Sequence, residues 1–274
     1  MGADAGRRVA LPPPRVWIED LLAVSRGVPV VTIERRMDLR RLAAARAAAA
    51  DRPPWVLLFA KAYAIVAARR PELRRAYVRF PWPHLYEAAE SVATVAVERE
   101  YAGEPAVFFA KFRGPDRQPL ARLTQRLAAW RAAPAERVKE CRRLIRMAGL
   151  PRPVRRAAWW WGVHSAGRRR AKNVGTFGVS VTAAAGASCR NLLSPLATNL
   201  NYGVLGPDGA ADVRLHFDHR VLDGMPAARA LADLEAVLAG EVLAEVRRLP
   251  TAAGGPHFAV RERPRSEAHR EPGA

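Results

Sequence analysis

Cysteine is scarce in this chain: of 274 residues only Cys141 and Cys189 are cysteines, far apart in sequence. Two such residues with no metal-ligand arrangement around them exclude a disulfide framework and a cysteine-based zinc site, and they suit a reducing compartment. Long apolar runs are missing too. No stretch approaches the 18 or so uncharged apolar residues that a membrane-crossing helix needs, about 20 in a typical bilayer. The opening residues MGADAGRRVALPPPR lack the apolar core of a secretory signal. Gly2 follows Met1, but Gly6 stands where a myristoylation signal has Ser or Thr. These absences lead to the expectation of a cytoplasmic protein.

Acidic residues are also in short supply, 26 against 45 Lys and Arg, for a formal charge of +19. Such a balance suits acidic partners: nucleic acid, an anionic membrane surface, an acidic carrier protein or the phosphates of a nucleotide-bearing donor. Arg and Ala dominate the whole chain, so skewed codon composition supplies part of the excess. No zinc finger, basic zipper or RNA-binding aromatic signature accompanies the charge, and nucleic acid is not an expected partner.

Half of the residues are apolar, enough for a full globular core. Residues 1–14 are proline-rich and read as a flexible lead, 15–249 as one domain, and 250–274 as a polar, disordered tail. A short amphipathic helix closes at Gly27, and VPVVTIERRMD (28–38) has the β-branched content of a strand. Asp38 is placed to cap the helix that follows. Residues 53–70 form an apolar helix buried on several sides, with Pro53 and Pro54 at its start. VATVAVERE (92–100) and PAVFFAKFR (105–113) read as a hairpin, followed by helices at 119–132 and 135–148. Further strands are expected in NVGTFGVSVTAA, ATNLNYGVLG and ADVRLHFD, and a last helix from Met225 to Ala239. There are no internal repeats. Strands and helices mixed in this way predict an α/β domain with a mixed sheet.

The chemistry concentrates in HFDHRVLDGMPAARALADL (216–234). A strand ends at Asp218-His219-Arg220 and a helix begins after Asp223-Gly224, so His219 and Asp223 are held across one tight connection. A neutral imidazole there can take a proton from a hydroxyl, amine or thiol near pH 7. By itself the pair is weak, since a helix-capping aspartate beside a surface histidine has the same spacing. His216, two residues before Asp218, falls on the opposite face from His219 and reads as a packed or hydrogen-bonded residue. His84, His164, His257 and His269 have no partner motif.

The HxxxDG pattern after a strand resembles the active-site motif of the CoA-dependent acyltransferases. DHRVLDG (218–224), with alanines in the next helix, is similar to the acyltransferase component of 2-oxo acid dehydrogenase complexes. GTFGVS (175–180) resembles that family's second motif. The hairpin VAVEREYAGEPAVFFAKFRGPD and the helix LLFAKAYAIVAARRPEL fall in matching order, so the likeness covers about 15–245. Chloramphenicol acetyltransferase is a more distant relative.

The resemblance implies a chloramphenicol acetyltransferase-like α/β fold: a mixed sheet flanked by helices, trimeric, with active sites between subunits. It implies His219 as general base, Asp223 as the organising carboxylate acting through an arginine, for which Arg15 is the candidate, and Gly224 as the motif glycine. Ser180 is implied as the donor to the oxyanion. Coenzyme A is implied as acyl carrier, with no metal. The family's second motif usually continues Asn-Leu-Gly, whereas here it runs into VTAAAG. With fourteen residues before the first matched element, neither a covalent lipoyl group nor a partner-docking module is expected. The reading is therefore a stand-alone acyltransferase using acyl-CoA or an acyl carrier protein. The alternatives are a non-catalytic trimeric binding or scaffold protein, or the acyltransferase core of an atypical 2-oxo acid dehydrogenase complex.

The stretch LPRPVRRAAWWWGVHSAGRRRAKN (150–173) departs from the family. Three consecutive tryptophans cannot share one side of a helix. With Trp160 beside Arg168, Arg169 and Arg170, this stretch is a candidate donor or membrane contact, either an interfacial patch or the mouth of an acyl tunnel. Core packing beside a solvated basic face is the alternative. The apolar contacts that join trimers into larger cores in the family are absent from the polar residues 251–274, which predicts a lone trimer.

Overall fold

A computed structural model of the chain describes Gly6 and residues 9–165 and 167–251. The expected lead at 1–14 ends early. Pro13 and Pro14 already belong to helix α1 (Pro13–Ser25), because proline at the first helical positions loses no needed N–H and has the right φ. Of the tail expected at 250–274, Pro250 and Thr251 are tied to the domain, with the Pro250 carbonyl accepting the Ala50 N–H at 2.8 Å and Thr251 bridging Ala49, and 252–274 lie outside the described residues.

Strand β1 (Val30–Asp38) leads to helix α2 (Arg40–Ala48), whose first turn is held by Asp38. Its carboxylate accepts the Arg40 N–H at 3.0 Å and the Arg40 guanidinium, which lowers the Asp38 pKa to about 2. Helix α3 (Trp55–Arg69) follows, then a two-stranded hairpin of β2 (Arg75–Val78) and β3 (His84–Glu87). The sequence reading missed that hairpin, since four-residue strands with charged ends carry little periodicity. Strands β4 (Val92–Tyr101) and β5 (Glu104–Arg113) form the expected hairpin. Helices α4 (Leu120–Ala132), α5 (Lys139–Ala148), α6 (Arg152–His164) and α7 (Gly167–Asn173) precede β6 (Phe177–Val179), β7 (Thr198–Tyr202) and β8 (Ala210–Asp218). Helix α8 (Gly224–Val237) runs through a single π turn into α9 (Leu243–Arg247).

Six strands form one sheet in the order β1-β8-β7-β6-β4-β5. The pairs β4–β6 and β6–β7 are parallel and the others antiparallel, so the sheet is mixed as expected. One face is covered by α3 and α8. Phe59 of α3 stacks on Tyr202 at 4.3 Å and Tyr63 meets Phe177 at 4.5 Å. Burying side chains such as Leu57, Leu58 and Phe59 contributes about 1.5–3 kcal/mol each. Lys61, buried in the same helix, is satisfied by Glu245 of α9 at 2.9 Å and the Gln118 carbonyl at 2.5 Å, which ties the two helices together.

The other face is polar along β1, β8 and β7. Thr32, His216 and Asn199 lie across from one another in register, as do Glu34, Arg214 and Asn201. His216 is buried and bonds Thr32 Oγ1 through Nδ1 at 2.8 Å, the hydrogen-bonded role expected for it, and burial lowers its pKa. Arg214 reaches Glu34 at 2.5 Å.

Candidate active site

The end of β8 is built to expose one side chain. Asp218 points inward, where its carboxylate accepts from Arg220 Nε at 2.9 Å, Arg220 Nη2 at 2.7 Å and the Arg220 N–H at 3.0 Å. The Arg220 guanidinium also lies 4.3 Å over the Tyr77 ring. The Asp218 carbonyl accepts the N–H groups of Val221 and Leu222, closing a turn, and buried Leu222 anchors it. His219 lies one residue past the strand, in the turn, with its ring 5.9 Å from that of Phe217 and its N–H bonded to the Pro29 carbonyl at 3.0 Å. Its side chain is 50% exposed. Asp223 is the N-cap residue of α8, with its carboxylate 81% exposed and 3.5 Å from His219 Nδ1. A Cβ at Gly224 would meet nothing within 4 Å, so this chain's own packing does not demand that glycine.

Ser180 follows the three residues of β6, a strand much shorter than the stretch expected from the sequence. Its backbone is held on both sides: the N–H bonds the Leu200 carbonyl at 3.1 Å, and its carbonyl accepts Asn201 Nδ2 at 2.6 Å. The preceding glycines are sterically required. Gly175 has φ +111°, and a Cβ at Gly178 would come within 2.1 Å of Asn199 Oδ1. Ser180 opens into a cavity of about 730 Å³ bounded by β4–β5, α1, α5, α6 and the 191–196 loop. The walls are apolar, with Trp17 and Leu21 of α1, Phe109 of β5, Met147 of α5 and Trp159 of α6. The rim is basic, with exposed Arg113, Arg126, Lys139, Arg143 and Lys172 against the carboxylate of Glu140, and Lys111 also lines the cavity but is largely buried. Burial pushes the Lys111 pKa down to about 8, helped by Arg143 and opposed by Glu140. The Lys111 ammonium donates to the Asn173 carbonyl.

His219 is not part of that cavity's lining. Within one chain, then, the structure holds His219 and Asp223 together and leaves Ser180 in a separate place. Arg15 lies exposed on α1, and within one chain no ion pair joins it to Asp223 among the described residues. One expectation is corrected. Arg170 is no surface contact: it is fully buried, donates to the Pro195 carbonyl at 2.5 Å, and burial lowers its pKa to about 10. On α7 it occupies the inward face, whereas Arg168 and Arg169 are exposed. The three tryptophans do divide. Trp159 is 6% exposed and packs on Trp17 at 4.5 Å, while Trp160 and Trp161 face outward and meet exposed Phe80 at 6.4 and 5.4 Å. Trp160 also borders a smaller cavity of about 290 Å³ with Tyr77, Arg156, His164, Arg170 and Arg220.

The sequence reading missed the cavity rim and Lys111. A signal existed: Val107, Phe109, Lys111 and Arg113 alternate along β5 and so share one face, apolar at one end and cationic at the other.

The mixed six-stranded sheet under α3 and α8, with a histidine closing β8 and a serine closing β6, is the chloramphenicol acetyltransferase-like fold expected from the motifs. Among solved structures, the chain superposes on a probable dihydrolipoamide acetyltransferase from Listeria monocytogenes, with a TM-score of 0.63 and 16% identity, over 91% of this chain and 99% of that one. It superposes likewise on the dihydrolipoamide acetyltransferase of Azotobacter vinelandii, with a TM-score of 0.61 and 19% identity, over 87% and 94%. In that protein a serine, a histidine and an asparagine have been investigated for their role in catalysis. A truncated catalytic core of a 2-oxoacid dehydrogenase complex from Thermoplasma acidophilum matches with a TM-score of 0.58 and 16% identity, over 87% and 99%. No protein-family model and no curated protein matches the sequence, so the likeness is one of structure.

Proposed function

We propose that this protein is an acyltransferase that moves an acyl group from acyl-CoA or an acyl carrier protein to a hydroxyl, amine or thiol. It works as a homotrimer in which His219 of one copy meets Ser180 of another. The observation that carries this reading is the division of the site: Ser180 opens into a basic-rimmed apolar cavity, while His219 stands half exposed outside it. The Azotobacter histidine and asparagine are also four positions apart, as His219 and Asp223 are here.

With the Nδ1 proton directed at Asp223, His219 Nε2 is left to accept the proton of the acceptor. The freed nucleophile attacks the thioester carbonyl, and the Ser180 hydroxyl donates to the oxygen as it becomes negative. Collapse of the tetrahedral intermediate breaks the C–S bond, and the departing thiolate takes the proton back from His219. The basic rim suits the phosphates of CoA or of a carrier's phosphopantetheine arm.

The test is turnover of pooled acyl-CoA donors by purified variants. His219→Ala is expected to lose about a hundred- to ten-thousandfold without unfolding, since its ring is half exposed. Ser180→Ala is expected to lower kcat about a hundred- to a thousandfold with little change in KM. Unfolding and reassembling the two inactive variants together should restore activity, because mixed trimers contain sites with both groups intact. No recovery would refute the shared site, and wild-type turnover by His219→Ala would refute the mechanism. A protein that binds donor but transfers nothing would be the scaffold instead.

A further inference from the structure

We propose that the large cavity takes the hydrocarbon chain of a long acyl thioester, running along α6 past Gly162, with the thioester carbonyl at Ser180. The position of the carbonyl rests on the acyl-transfer reading above; the chain site rests on the cavity itself.

Helix α6 supplies the argument. Ala158 and Gly162 are spaced i and i+4, Trp159 and Gly162 i and i+3, so Gly162 neighbours both on the helix surface, and all three line the cavity. A glycine inside a helix weakens it relative to alanine. At Gly162 no close neighbour requires one: an added Cβ would meet nothing within 4 Å. The space beside it is therefore open cavity, and the helix gives up stability there to leave it open. Across that space stand Trp17 and Leu21 of α1 and Met147 of α5, all apolar.

Size points the same way. An acetyl group needs a small fraction of about 730 Å³, whereas sites of this volume bury ligands much larger. The charge is divided as an acyl-phosphopantetheine would require, with exposed Lys139, Arg143 and Lys172 for phosphate and hydrocarbon walls beside them. CoA and carrier-bound donors share this chemistry.

The experiment is calorimetric titration with S-alkyl-CoA thioethers from ethyl to hexadecyl. These have no acyl group to transfer, so the result does not depend on turnover. Affinity is expected to rise by up to about fourfold per methylene until the cavity is filled. Gly162→Leu, which projects into the open space, should level off at a shorter chain. It should lose at least about tenfold for hexadecyl while ethyl binding stays within about twofold, a difference of about two methylenes. Gly162→Ala is the check on folding: it should melt at a higher temperature and trim only the longest chains.

S-alkyl-pantetheines, which lack the nucleotide, should keep the chain-length dependence at lower affinity; binding that depends on the nucleotide alone would overturn the proposal. A flat series, or the same series in wild type and Gly162→Leu, would also overturn it. Wild-type protein that gives the chain-length series but transfers no acyl group to any acceptor would sink the acyl-transfer reading alone. Short-chain transfer with a flat series would sink the chain site alone.

Discussion

A histidine is read by its neighbours, and this chain holds three in contrasting settings. His219 is half exposed beside Asp223, His216 is buried against Thr32, and His164 sits at the end of α6 among arginines. Burial lowers the His164 pKa to about 4, with Arg79, Arg170 and Arg220 adding repulsion. The consequence for stability has a definite sign. The unfolded chain takes up a proton at His164 as pH falls through about 6.5, while the folded protein resists until about 4. Stability is therefore fully present above about 6.5 and declines between there and about 4, with His216 shifting the same way. Melting temperatures should fall from pH 7 to pH 5, and His164→Gln, neutral throughout, should flatten the slope. An unchanged slope would assign the acid sensitivity to other groups.

Helix α6 shows how one element serves two environments. Its inward side gives Trp159 and Gly162 to the cavity, while Trp160 and Trp161 join Phe80 on the surface, with Trp82 also exposed. Indole and phenyl groups exposed beside arginines suit the boundary of a lipid surface. Exposed Arg168 and Arg169 on α7 would add about 1 kcal/mol each near an anionic membrane. No helix among the described residues is long and apolar enough to cross a bilayer, so the contact envisaged is peripheral. Vesicles containing phosphatidylserine should bind the protein and release it as salt rises and the Debye length shrinks from about 8 Å toward about 3 Å at 1 M. Trp160→Ala with Trp161→Ala should weaken binding at every salt concentration, and Arg168→Gln with Arg169→Gln should flatten the salt dependence. Equal binding by all three proteins would mark this as an ordinary solvated face.

At the scale of the whole molecule, the division between Ser180 and His219 leads to the expectation of three copies around a shared axis, each site made by two of them. Sedimentation equilibrium should give the mass of a trimer. A persistent monomer would leave both half-sites incomplete and would contradict the proposed function, and a particle of many trimers would refute the stand-alone assembly.

Local rules made much of this legible in the linear chain. The apolar circumference of 55–69, the β-branched alternation of 92–101 and 104–113, and Asp218 through Gly224 at the end of a strand all follow from side-chain periodicity and turn chemistry. The same rules separated His216 from His219, because a strand turns successive residues to opposite faces. Tertiary structure decided the remainder. Nothing in Arg168-Arg169-Arg170 says which guanidinium turns inward, since that depends on where α7 docks and on the free carbonyl of Pro195. The cavity behind Ser180 likewise needs α1 to meet α5 and α6, more than about a hundred residues further along the chain. A void belongs to no single segment: it is what packing leaves between elements, and periodicity describes only the faces that enclose it.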